Sequence, residues 1–105
     1  MALDRYPTLE PDDGDVVSEE LVVSEDVLVK AFAVGPGGEL STHVHDEETN
    51  VFHVLSGTVT VLQDDEEEEI TAPGVVLHEP GVPHGARNDT DEVVVFTASL
   101  CPLPS

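Results

Sequence analysis

Helical periodicity is missing from this chain. No stretch of a dozen residues repeats its apolar side chains every 3.6 positions; short β-branched runs recur instead, broken by Gly, Pro and Asp. They predict strands at 21–23, 27–34, 39–45, 51–56, 58–62, 68–71, 75–78, 84–87 and 93–100. The breaks carry turn chemistry: GPGG at 35–38, SG at 56–57, DD at 64–65, PG at 73–74, PGVP at 80–83 and NDTD at 88–91. Many short strands at regular spacing imply a sandwich or a barrel. A chain of 105 residues closes one such domain. The expected organisation is an N-terminal arm over 1–15 and a single β-barrel domain over 16–105.

Charge narrows the partners. Asp and Glu number 23 against 3 Lys and Arg, a formal net charge of −20. Such a chain repels nucleic acid and anionic lipid. Disorder is excluded as the reading, because Val-rich alternating segments persist between the acidic clusters. A carboxylate-covered surface nearly free of lysine is the composition of a halophilic protein, one whose self-repulsion is screened by concentrated salt. The acidic run DDEEEE at 64–69 reads as a hairpin turn and an exposed edge strand, since nothing in it matches an ordered calcium loop. No apolar run nears the roughly 18 residues of a membrane span, and the N-terminus has no basic-then-apolar leader, so a soluble cytoplasmic protein is expected. The single cysteine, Cys101, precludes an internal disulfide and falls in the tail.

Histidine carries the chemistry. His43 and His45 stand two apart on a predicted strand, and alternation puts them on one face about 7 Å apart in rise. Two imidazoles so placed can converge on one ion, at metal–nitrogen distances of about 2.0–2.1 Å. His84 follows a turn built from Pro80, Gly81 and Pro83, whose prolines fix its approach.

These segments resemble the two motifs of the cupin family, small jelly-roll β-barrels that hold a metal among histidines. The first motif, G-x5-H-x-H followed after three or four residues by E-x6-G, is met by Gly37, His43, His45, Asn50 and Gly57. The second, G-x5-P-x-G-x2-H-x3-N, is met by Gly74, Pro80, Gly81, His84 and Asn88, without the residue between Pro80 and Gly81. Asn50 stands where the family has its metal-binding glutamate. Three arrangements follow: His43, His45 and His84 alone; the same three with Asn50 as a weak neutral ligand; or Glu48 brought in by a shifted register. The first is expected. Three neutral imidazoles leave a divalent ion its full charge and favour an anionic ligand.

The resemblance implies an all-β cupin jelly-roll barrel and one divalent transition metal ion, with Fe, Zn, Mn, Ni and Cu all compatible with the ligand types. It implies a homodimer. Three functions stand under it: a metal-dependent oxidoreductase of the dioxygenase kind, a non-catalytic binding or sensor module, and a Lewis-acid isomerase or lyase. With Asn50 inward, alternation turns Phe52 and Val54 inward and His53 outward, to a structural or interface role. His78, just before Pro80, is placed at the cavity mouth as the candidate catalytic acid–base group. Phe32, Phe52, Val54, Ala86 and Phe96 are expected to line an apolar cavity, Arg87 to face away from the metal, and Asn88 to hold its turn. Arg5, Lys30 and Arg87 are too few to clamp a phosphate, and aromatic platforms for a sugar are scarce. A small, anionic, partly apolar ligand fits better.

Overall fold

The computed structural model describes residues 8–102, and these fold entirely as strands and turns. The strands are β1 (Val16–Val23), β2 (Leu28–Val34), β3 (Glu39–His43), β4 (Thr49–Ser56), β5 (Thr58–Gln63), β6 (Glu66–Thr71), β7 (Gly74–His78), β8 (His84–Arg87) and β9 (Val94–Cys101). They form two antiparallel sheets, ordered β1-β2-β9-β4-β7 and β3-β8-β5-β6. Of the expected arm, residues 1–7 lie outside the described ones. Residues 12–15 turn and bond onto the 35–36 turn, with Gly14 N donating to Pro36 O and Gly35 N to Asp15 O.

Alternation lays the inward side chains of the larger sheet in rows. Cross-strand register aligns Leu28, Leu100, Asn50 and His78 in one row, then Lys30, Ala98, Phe52 and Val76, then Phe32, Phe96, Val54 and Gly74. The third row and the ends of the strands beyond it fill the closed end. Val54, Phe96, Val59, Val94 and Ala86 are each 0% exposed there. Phe32 and Phe96 stack across β2 and β9 at 5.2 Å. Truncating one such buried phenylalanine to alanine costs about 3–5 kcal/mol.

Two boundaries differ from the sequence reading in ways that matter. β1 starts at Val16 rather than 21, because three consecutive polar residues, Ser18, Glu19 and Glu20, interrupt the apolar signal of an exposed edge strand. β3 stops at His43, so His45 lies beyond the strand. The acidic run behaves as expected: Asp64 adopts φ 53° in the turn, and β6 is an exposed edge strand. Charge on an edge discourages pairing with other chains.

Candidate metal centre

The site is built at the open end, where β3 finishes, β8 and β4 begin and β7 ends. Leu40 pairs with Ala86, but the next partners are His43 and His84. β3 therefore advances three residues while β8 advances two. This bulge cancels the alternation that would otherwise turn His43 outward, and re-aims it to the inner face opposite His84. Gly85 permits it: a Cβ there would stand 2.8 Å from Leu40 O and 3.1 Å from Thr42 N, both backbone atoms.

His45 reaches the same place by another route. Gly81, at φ 82°, turns the chain so that its N–H donates to His45 O at 2.8 Å. The PGVP turn thus pins the His45 backbone beside His84, and its missing residue is absorbed in a tight turn closed by Val82 N to Glu79 O. Ring centroids lie 4.9 Å apart for His43–His45, 4.6 Å for His43–His84 and 5.7 Å for His45–His84. One nitrogen from each lies within 4.8 Å of the other two. The three expected histidines are therefore brought together, although strand alternation is not what converges them.

The donor set fits a divalent transition ion. His43 Nδ1–H donates to Ser41 O and His84 Nδ1–H to Val82 O, both at 2.9 Å, which puts the lone pair of each ring on Nε2. Burial, with neighbouring histidines as a smaller cause, lowers the pKa of His45 and of His84, so both favour the neutral form that binds metal. Asn50 is 2% exposed, and its Nδ2–H donates to His84 Nε2 at 3.0 Å. Its Oδ1 is buried without a partner. Rotating the amide would present that oxygen to an ion on His84. Glu48 stays outside the cluster and accepts instead from Glu47 N.

His78 is not at the cavity mouth. It is 0% exposed and stacks on the His84 ring at 4.1 Å, 5° from parallel. The register explains this: His78 pairs with Asn50 and stands one layer behind the cluster. Gln63 Nε2–H donates to His78 Nδ1 at 2.9 Å and to Leu77 O at 2.8 Å, so the His78 proton sits on Nε2. Burial first, then His84 and His43, lower the His78 pKa to about 4. His53 is exposed on the outer face. Asn88 holds its turn, donating to Val34 O and Glu92 O and accepting from Thr90 N and Oγ1. Arg87 points away, paired with Glu67 and Asp89.

A cavity of about 240 Å³ opens onto the histidines. Its apolar wall is Phe32, Leu40, Phe52, Ala98 and Leu100; its polar lining is Lys30, His43, His45 and Asn50. Val54, Ala86 and Phe96, expected as lining, lie in the packed core instead, because the barrel is filled at that end. Lys30 was not foreseen here, yet it shares the parity of Phe32 two residues on, which is the signal that places it inside.

Among the described residues no helix is long and apolar enough to cross a membrane. A search of curated proteins finds no significant match. Solved structures are similar throughout. One from Thermus thermophilus is 25% identical, with a TM-score of 0.85 over 91% of each chain. A Klebsiella pneumoniae protein with a double-stranded β-helix domain is 25% identical, with a TM-score of 0.83 over 90% of this chain and 83% of its own. A predicted oxalate decarboxylase of Thermotoga maritima is 20% identical, with a TM-score of 0.79 over 84% of this chain and 81% of its own. A family profile described as the cupin domain matches residues 31–100. Two antiparallel sheets closing on three histidines carry that profile across most of the barrel: this chain belongs to the cupin family.

Proposed function

We propose that the protein is a metal-dependent cupin of the dioxygenase kind, with His43, His45 and His84 holding one divalent transition ion against a small, anionic, partly apolar molecule. The observation that carries this reading is the three-histidine cluster beside a cavity that no carboxylate among the described residues lines. When bound, the ion supplies Lewis acidity and, if redox-active, electron transfer to dioxygen. The Ser41 and Val82 carbonyls fix the ligand tautomers. With its amide turned over, Asn50 would face the ion through Oδ1, and Phe32, Leu40 and Leu100 exclude water from the ligand. His78 serves as a positioning residue, its ring packed flat behind His84.

One observation favours a second reading, a metal-bound binding module: among the described residues, Lys30 is the one titratable group besides histidine that lines the cavity. Elemental analysis of protein purified without a histidine tag tests the shared part, with about one metal per chain expected. Oxygen uptake by the iron- or copper-loaded protein, dependent on an added carboxylic acid, separates the readings. Ligand-dependent stabilisation without uptake selects the module.

We also propose a homodimer through the outer face of the larger sheet. The outward positions of β4, β7 and β9 include no charged residue in a chain of net charge −20, and Val75, Leu77 and Leu55 are 67%, 51% and 38% exposed there.

A further inference from the structure

Two described residues are Lys or Arg, and the fold treats them oppositely. Arg87 lies outside and is neutralised by Glu67 and Asp89. Lys30 is half-buried, on the inward face of β2, and lines the histidine cavity. Its side chain joins no ion pair or hydrogen bond among the described residues. Glu20 faces it across the β1–β2 ladder, yet the two form no ion pair. No carboxylate among the described residues lines the cavity, although Asp and Glu number 23 in the chain. An amine that an apolar wall holds away from ion-pair partners is matched by an anion.

Lys30 and the histidines reach this space from different segments of the chain. In the larger sheet the Lys30 row reads Lys30, Ala98, Phe52, and Asn50 lies one row on, toward the cluster. Lys30 and Phe52 are two strand spacings apart, roughly 10 Å. Phe32, Leu40 and Leu100 form the wall. The cavity holds about eight water volumes, the size of a small organic acid.

We propose that Lys30 is the anion anchor of this cavity: it takes the carboxylate at one end of a short acid whose second oxygen-bearing end meets the histidine centre. This rests on the metal-site reading above and adds the substrate class, a compact two-ended acid with an apolar middle. Lys30 is then the residue that discriminates a diacid from a monoacid of the same length.

Calorimetric titration of zinc-loaded protein with succinate, glutarate and adipate, each against its monoamide, tests this. The parent is expected to bind at least one diacid about tenfold or more tightly than its monoamide. Lys30→Met should abolish that preference while zinc content stays unchanged, Lys30→Arg should keep it, and Glu20→Gln should strengthen it by removing a competing carboxylate. A preference that survives Lys30→Met overturns the proposal, as does a parent that prefers no diacid or binds none. If the parent holds no zinc, the metal reading has failed separately. The comparison then becomes butyrate against butyramide on the metal-free protein, where a Lys30-dependent preference supports the anchor and its absence overturns it.

Discussion

Gly85 and Leu40 face each other so closely that a Cβ on Gly85 would lie 2.8 Å from the Leu40 carbonyl oxygen. That approach is what lets β3 bulge and aim His43 inward. Gly85→Ala is expected to cost about 1–3 kcal/mol, as overpacking against backbone does. It should also weaken metal binding by roughly tenfold or more, because a ligand loses its aim. Thermal unfolding and a zinc competition titration measure the two effects. A destabilised variant with unchanged zinc affinity would separate the bulge from the metal centre.

Removing ligands should empty the site. The double variant His43→Ala, His84→Ala is expected to fall from about one metal per chain to almost none, since two of three donors are gone. His78→Phe, which keeps a flat ring behind His84, should retain the metal. Elemental analysis of all three proteins decides it.

Acid should act through His78 in the metal-free protein. Its pKa is lowered from 6.5 to about 4, by burial first. Between those values the unfolded chain binds a proton that the native chain does not. The stabilisation is therefore complete above pH 6.5 and lost as pH falls towards 4. His45 and His84, both lowered first by burial, act in the same direction. Relief of carboxylate repulsion opposes them, so the difference between parent and His78→Phe is the informative quantity. Denaturant midpoints from pH 7 to 4 should show a shallower loss in the variant, by up to about 1.4 kcal/mol per pH unit.

Salt should stabilise the fold. With a net charge of −20, the unfolding midpoint is expected to rise steadily as potassium chloride increases from low to molar concentration. A flat profile would remove the halophilic reading.

Association is tested on the outer face. Leu77→Glu with Val75→Glu is expected to give a monomer by light scattering where the parent is a dimer, with zinc content unchanged. Both positions are exposed on β7, away from the cavity. A parent that is monomeric at high protein concentration would sink the dimer proposal.

Much of the barrel was legible because strands with one buried face print a two-residue period, and Gly and Pro mark the turns between them. The edges were less legible. β1 carries the polar block Ser18, Glu19 and Glu20 under weak burial, so its first half left no sustained apolar run. The three histidines were legible as a set. The route by which they converge was not, because a bulge replaces the two-residue period, and only the neighbouring strand shows why Gly85 must be small. His78 was misplaced for a related reason: its depth depends on pairing with Asn50, a relation across β4 and β7 that no local pattern encodes. Lys30 entered the sequence reading only as one of three basic residues, although it shares the parity of Phe32.

Between Lys30 and Phe52 the floor of the chamber is one methyl group, that of Ala98. Length discrimination in such a chamber is tunable at a single position. Glycine there would admit a longer guest and valine a shorter one, without disturbing the histidines or the strand ladder. A lineage carrying this barrel could therefore move between homologous acids by small steps in side-chain volume, leaving its inorganic chemistry intact.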